Sequence, residues 1–300
     1  MVDLSDNPAR FSSGADWGSP SFSVDCSRVN SAVSTQHNLS FYGLVNGGEI
    51  FWASPPADFE LSAGQIHVWA FSLDRSSASH AHFAASLSVD ERERAGRFRF
   101  DVHRDRFIVG RGVLRGVLGR YLGITADQIQ FVYGSNGKPA LSKGADEIRF
   151  NLAHSRDLAL LAVARNFDLG VDVELIRPIP DAAELVERFF SPSENALFQN
   201  LPEQERPVAF FNLWTRKEAL LKGTGEGIAC SLRSVQVSFL PGEPARLIKV
   251  EDRPGENQRW RLHDLKPAGG FSAALAFETA GPEVSCWSWP NSFDGRVEEE

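Results

Sequence analysis

Cysteine is almost absent. Cys26, Cys230 and Cys286 are the only three in 300 residues, too scattered and odd in number for a disulfide framework or a thiolate zinc site. Such scarcity suits a reducing cytoplasm. Long apolar runs are missing as well: no stretch of about 18 apolar residues occurs, and residues 1–13 lack a basic flank followed by an apolar core, so neither a membrane span nor secretion is expected. Positive charge is in deficit, with 31 Lys and Arg against 39 Asp and Glu and a formal net charge of −8. That balance argues against bulk attraction to nucleic acid or an anionic membrane, so an anionic ligand must meet a local basic patch. Nucleotide and hydrolase fingerprints fail on inspection. Gly110, Gly112 and Gly116 lack the preceding strand and spacing of a dinucleotide loop, the Gly223–Gly227 run lacks the Lys-Ser/Thr of a P-loop, and no G-x-S-x-G elbow is present.

What is present is ample core material, 42% hydrophobic and 11% aromatic, enough for one large domain or two smaller ones. Residues 1–64 form a Ser/Gly-rich extension without sustained period, although Trp17, Phe22, Phe41, Phe51 and Trp52 leave room for part of it to dock on the body. Regular pattern begins at Gln65. Strands are predicted over 66–73 and 128–133 with helices between, the first introduced by a Ser88/Glu91 capping box and the second running from about 104 to 122 and stopping at Gly123. Within this stretch His80-x-His82 falls in a Ser/Ala/His-rich link expected to be exposed. A turn at Asn136-Gly137-Lys138-Pro139 precedes two apolar strands, 158–164 and 169–176. Helices follow near 182–190, 193–199 and 207–222, then strands near 234–240, 247–250, 260–265 and 271–277. Two α+β halves are thus expected, 65–170 and 171–285, with an acidic tail over 286–300. The echo between Arg120-Tyr121-Leu122-Gly123 and Leu220-Leu221-Lys222-Gly223 is too weak on its own to establish duplication.

Four patterns carry chemistry. In Gly170-Val171-Asp172-Val173-Glu174 the period of two puts both acids on one strand face, where mutual repulsion invites a divalent cation; oxygen-only ligation favours Mg²⁺. A lone D-x-E is better explained as the solvated face of an edge strand. In Trp214-Thr215-Arg216-Lys217-Glu218-Ala219-Leu220-Leu221-Lys222, Glu218 and Lys222 share a helix face, which read alone is a surface ion pair. Phe150-Asn151-Leu152-Ala153-His154-Ser155 ends an apolar stretch with donors suited to phosphate oxygens or to a plain turn. Finally, nine arginines lie between Arg92 and Arg120, interleaved with acids that pair with about half of them.

Taken together, N-G-K-P, F-N-x-x-H-S, G-V-D-V-E and W-T-R-K-E-A-x-x-K, in this order, resemble the Sfp-type phosphopantetheinyl transferases over about residues 66–280. The resemblance implies an α+β fold of two similar halves in a pseudo-twofold arrangement, with the ligand cleft between them. It implies transfer of the 4′-phosphopantetheine group of coenzyme A to a serine of an apo acyl or peptidyl carrier protein, dependent on Mg²⁺ with Mn²⁺ as a substitute, and release of 3′,5′-ADP. Asp172, Glu174 and Glu218 become the metal ligands. Glu218, Lys222 and Asp172 carry catalysis, with Glu218 as base and Lys222 on the phosphate. Lys138, His154 and Lys217 line the coenzyme A site, and Arg94, Arg97 and Arg106 are candidates for its 3′-phosphate. Family members are often monomeric. Ala153 departs from the N-x-S-H-S common among them and removes a hydroxyl. The competing readings are a metal-dependent phosphohydrolase and a non-catalytic module that binds carrier protein or coenzyme A.

Overall fold

The computed structural model describes residues 52–56, 59–134, 136–142, 147–225, 232–278 and 282–289. Strand β1 (Gln65–Ser72) is buried on both faces. Trp69 and Phe71 enter one apolar cluster while Ile66, Val68 and Ala70 enter another, as the period of two requires. The Ser/Ala/His-rich stretch that follows is a helix, α1 (Ser77–Ser86), and not a link, with His82 exposed as expected and His80 half-buried. Its one buried residue, Phe83, gives too little periodicity to be read, yet its ring lies where a β-carbon on Gly112 would be. Helix α2 (Val89–Ala95) starts at the Ser88/Glu91 capping box, and α3 (Asp101–Leu122) ends at Gly123 in the left-handed conformation, φ +65°. Strands β2 (Phe131–Tyr133) and β3 (Pro139–Leu141) flank the Asn136–Pro139 turn. β2 is shorter than expected because residues 126–128 form a 3₁₀ turn capped reciprocally by Thr125 and Gln128. Strands β4 (Ile148–Ser155) and β5 (Leu158–Arg165) complete the first half.

The second half opens with β6 (Leu169–Leu175), continues through α4 (Ala182–Phe189), α5 (Pro192–Gln199) and α6 (Arg206–Thr224), and then forms the hairpin β7 (Val235–Val237) and β8 (Leu247–Val250). A register shift between Gln236 and Val237 cuts short the strand expected over 234–240. The short α7 (Glu256–Arg259) leads into β9 (Trp260–Leu265) and β10 (Phe271–Glu278), and β11 (Glu283–Ser288) follows. Two sheets result, ordered β11-β1-β5-β4 and β6-β10-β9. Their facing surfaces share one apolar cluster that includes Val68, Leu160 and Ala162 from the first sheet and Val171, Val173 and Leu275 from the second. Helices cover the outer face of each. Among the described residues no helix is long and apolar enough to cross a membrane.

Both ends of the chain contribute more than the sequence suggested. Trp52, within the 1–64 extension, is buried and donates Nε1–H to the Lys266 carbonyl at 2.8 Å. The boundary drawn at 286 falls inside β11, which pairs parallel with β1 from Gln65↔Glu283 to Ala70↔Ser288. That strand continues the first sheet, and Trp289 is buried in the first half's core.

A repeat that the sequence only hinted at is visible in buried charge. Glu91, third residue of the α2 capping box, accepts from Arg115 Nε of α3 at 2.6 Å; Glu194, third residue of the α5 capping box, accepts from Lys217 Nζ of α6 at 2.6 Å. Each half therefore ties a short capped helix to its long helix through one buried acid, held by two buried arginines, Arg111 and Arg115, in the first half and by Lys217 alone in the second.

Candidate active site

Gly170, Asp172 and Glu174 alternate with Val171 and Val173 along β6, so the valines enter the inter-sheet core and the other three face α6. The close approach of that helix depends on Gly170. A β-carbon there would collide with the Ala219 carbonyl and the Gly223 amide, so only glycine lets α6 rest on the strand. Resting there, α6 lays Glu218 and Lys222, one turn apart, over Asp172 and Glu174. Lys222 Nζ is 2.6 Å from Asp172 Oδ1. Ser155 Oγ donates to Glu174 Oε2 at 2.7 Å and accepts from the Leu175 amide at 3.1 Å, while Asn151 Oδ1 accepts from the Val171 amide at 2.7 Å. Strand β4 thus locks β6 in place through two residues of the F-N-x-x-H-S segment.

The cluster is out of water, with Asp172 and Glu218 each only 4% exposed. Burial raises the Asp172 carboxyl against the pull of Lys222. Burial, reinforced by Asp172, holds Glu174 at about 7, and burial together with the neighbouring carboxylates holds Glu218 at about 7 despite Lys222. Burial alone would depress the Lys222 ammonium, but the three carboxylates and its bond to Asp172 raise it. Two carboxylate oxygens, Asp172 Oδ2 and Glu218 Oε1, are buried with no hydrogen-bond partner, a costly condition for groups of this kind. His154 lies within electrostatic reach of Lys222, Arg106 and His103; burial first, then Lys222 and Arg106, lower it to about 4 and keep the ring neutral.

Comparison with known proteins gives the family. The family described as 4′-phosphopantetheinyl transferase superfamily matches residues 168–276, and the family described as 4′-phosphopantetheinyl transferase, N-terminal, matches residues 74–166. The 4′-phosphopantetheinyl transferase HetI of Nostoc sp. (strain PCC 7120 / SAG 25.82 / UTEX 2576) is 40% identical over 240 residues, covering 79% of this chain and 98% of HetI. This chain belongs to the 4′-phosphopantetheinyl transferase superfamily. A phosphopantetheinyl transferase of Thraustochytrium sp. (strain ATCC 26185 / S-3) is 28% identical over 77% of this chain and 83% of its own length. Sfp of Bacillus subtilis (strain 168) is 29% identical over 57% of this chain and 76% of its own length. The protein is accordingly a transferase of the phosphopantetheinyl class.

The transferase's other predicted site residues divide. Arg106 forms a bidentate pair with Asp74, at 2.7 and 2.9 Å, and its charge reaches His154. Arg94 lies over the Phe107 ring at 5.5 Å, and Arg97 is an exposed partner of Glu93 at 3.9 Å. Lys217 does not line the cluster. One residue before Glu218 on the helix, it points about 100° away, toward Glu194 and the Leu232 carbonyl, fully buried. Lys138 Nζ donates to backbone carbonyls at the end of α6. Ala153 packs in the inter-sheet core, so the hydroxyl missing there would have faced apolar side chains. Of the nine arginines, Arg111 and Arg115 are buried on Glu91.

The donor set fits Mg²⁺. All its members are hard oxygens, three carboxylates outnumber the one ammonium, and two of the oxygens are orphaned. Among the described residues no three acidic, His or Cys side chains are already closed into a metal site; the Lys222 ammonium is the cation beside Asp172. Sequence reasoning missed Ser155 and Asn151 as braces of β6, because it treated their donors as free for a ligand, and it missed Gly170 as the seat of the helix.

Proposed function

We propose that this transferase uses Mg²⁺ to move the 4′-phosphopantetheine group of coenzyme A onto a serine hydroxyl of an apo acyl or peptidyl carrier protein, releasing 3′,5′-ADP. The observation that carries the reading is the buried group of Asp172, Glu174, Glu218 and Lys222 with its unpartnered Asp172 Oδ2 and Glu218 Oε1. Asp172, Glu174 and Glu218 would hold the ion, which when bound offsets charge on the pyrophosphate and at the transferring phosphorus. Mn²⁺ suits the same oxygen donors.

The chain's own side chains do the rest. Glu218, held at about 7, accepts the proton of the serine hydroxyl. The serine oxygen bonds to the β-phosphorus, and the bond from that phosphorus to the bridging oxygen breaks, the oxygen leaving with 3′,5′-ADP. Lys222 hydrogen-bonds the departing phosphate. Neutral His154 donates to a phosphate oxygen without adding charge, and Arg106, on the same side, supplies charge for the 3′-phosphate. The presence of both halves on one chain supports a monomer, and the sparse cysteines support a cytoplasmic setting.

Incubating the protein with an apo carrier, coenzyme A and Mg²⁺ and weighing the carrier tests the reading. One phosphopantetheinyl group should be gained, and the gain should vanish with EDTA or in Glu218→Ala. No gain across several carriers would sink the transferase reading. Inorganic phosphate released without carrier would favour the phosphohydrolase, and coenzyme A binding with no reaction would favour the non-catalytic module.

A further inference from the structure

The turn between β2 and β3 belongs to the first half, but its side chains end on the catalytic helix of the second. Lys138 Nζ donates to the Lys222 carbonyl at 2.6 Å, the Gly223 carbonyl at 3.1 Å and the Leu169 carbonyl at 3.4 Å. Two residues earlier, Asn136 Nδ2 donates to the Gly225 carbonyl at 2.8 Å. A helix leaves its last four carbonyls without intrahelical acceptor bonds and carries partial negative charge at that end. An ammonium has three donors and no acceptor, so Lys138 is matched to such an end and has no proton left over for a ligand.

We infer that the Asn136–Lys138 turn is a clamp between the halves, and that Lys138 is a positioning residue acting through Glu218 and Lys222. The Leu169 carbonyl begins the strand that carries Asp172 and Glu174; the Lys222 and Gly223 carbonyls end the helix that carries Glu218 and Lys222. One side chain from outside both elements therefore joins them next to Gly170, where they touch most closely. Moving α6 along β6 would separate Lys222 from Asp172. Lys138 opposes that motion by fixing the helix end, and Asn136 adds a second fastening one residue beyond the last helical residue. A turn that otherwise reads as an exposed lysine thus has a geometric task, and reaching a phosphate would mean leaving three carbonyls without their donor.

The activity arm of the test rests on the transferase reading above; the exchange arm does not. In Lys138→Met, kcat should fall by about tenfold or more, as small misplacements of catalytic groups do, while KM for coenzyme A stays within about twofold. Lys138→Arg should recover part of the lost kcat, because a guanidinium also donates to clustered carbonyls. Amide hydrogen exchange across residues 221–225 should quicken in Lys138→Met and Asn136→Ala. Unchanged exchange would overturn the clamp. So would a loss confined to KM that disappears when 3′-dephospho-coenzyme A is the donor, since Lys138 would then be a phosphate contact. If the wild-type protein modified no carrier, the transferase reading would fall and the exchange result would still decide the clamp.

Discussion

Lys222 Nζ lies 2.6 Å from Asp172 Oδ1, while Oδ2 of the same carboxylate is buried with no hydrogen-bond partner. A single ammonium therefore satisfies half of one of three neighbouring acids, and a divalent cation is the group that would satisfy the rest. Titrating Mg²⁺ into the protein should raise Tm, by an amount equivalent to about 2.7 kcal/mol when the ion reaches 100 times its Kd. Differential scanning calorimetry checks this without any substrate. Asp172→Asn and Glu218→Gln should flatten the dependence, whereas equal Tm values with and without Mg²⁺ in the wild-type protein would remove the metal from the scheme.

Gly170 offers a second test because its role is steric and lies outside the chemistry. A methyl group there meets backbone atoms of Ala219 and Gly223, which cannot rotate aside as a side chain would. Gly170→Ala should cost about 3 kcal/mol, at the upper end for overpacking a core, read as a lower urea midpoint. Transferase activity should fall further than the folded fraction does, since the helix that lifts away carries Glu218 and Lys222. An unchanged midpoint would mean that α6 does not rest on β6 at this point.

Much of this site could be read from residue spacing, and the unread part has a common cause. Asp172 and Glu174 share a face because strands have a period of two, and Glu218 and Lys222 share one because helices return every 3.6 residues; both inferences use one element at a time. The roles of Lys138, Ser155 and Gly170 depend on which element lies opposite, and no local period reports that. For the same reason Lys217 was placed with Glu218: adjacency in the motif hid a rotation that turns it into the second core. The fold shows a similar divide. The long helices announced themselves through apolar stripes and terminal glycines, but α1, with Phe83 as its one buried side chain, and β11, which joins a strand more than 200 residues earlier in the chain, did not.

Lys217 tests that rotation directly. Its ammonium is paired with Glu194 and bonded to the Leu232 carbonyl in full burial, and burial lowers its pKa to about 8. Removing one partner of a buried pair strands the other and costs roughly 3–5 kcal/mol. Glu194 keeps bonds from the Val237 and Ser191 amides, so Lys217→Met should fall near the lower bound, about 3 kcal/mol. In the folded fraction KM for coenzyme A should stay at the wild-type value. A raised KM with unchanged stability would return Lys217 to the ligand site.

His67 sets a pH dependence of stability that is separable from the active site. It is 3% exposed, its Nδ1 lies 2.8 Å from the Tyr121 hydroxyl, and that hydroxyl accepts from Trp69 Nε1 at 3.0 Å, so a neutral ring is what the site accommodates. Burial lowers its pKa from 6.5 to about 4, against the opposing charge of Glu283. Below pH 6.5 the unfolded chain takes up a proton that the folded chain refuses until about pH 4. Stability from this group is therefore complete above 6.5 and is lost as pH falls through that window, by up to about 3 kcal/mol. Glu174 and Glu218, with raised values, act in the opposite sense as pH falls, so the informative quantity is a difference. Denaturant midpoints measured from pH 7.5 to 4.5 should fall less steeply in His67→Gln than in the wild-type protein. Parallel profiles would mean that His67 is protonated in the folded state, and the Tyr121 hydroxyl would then have to accept from it.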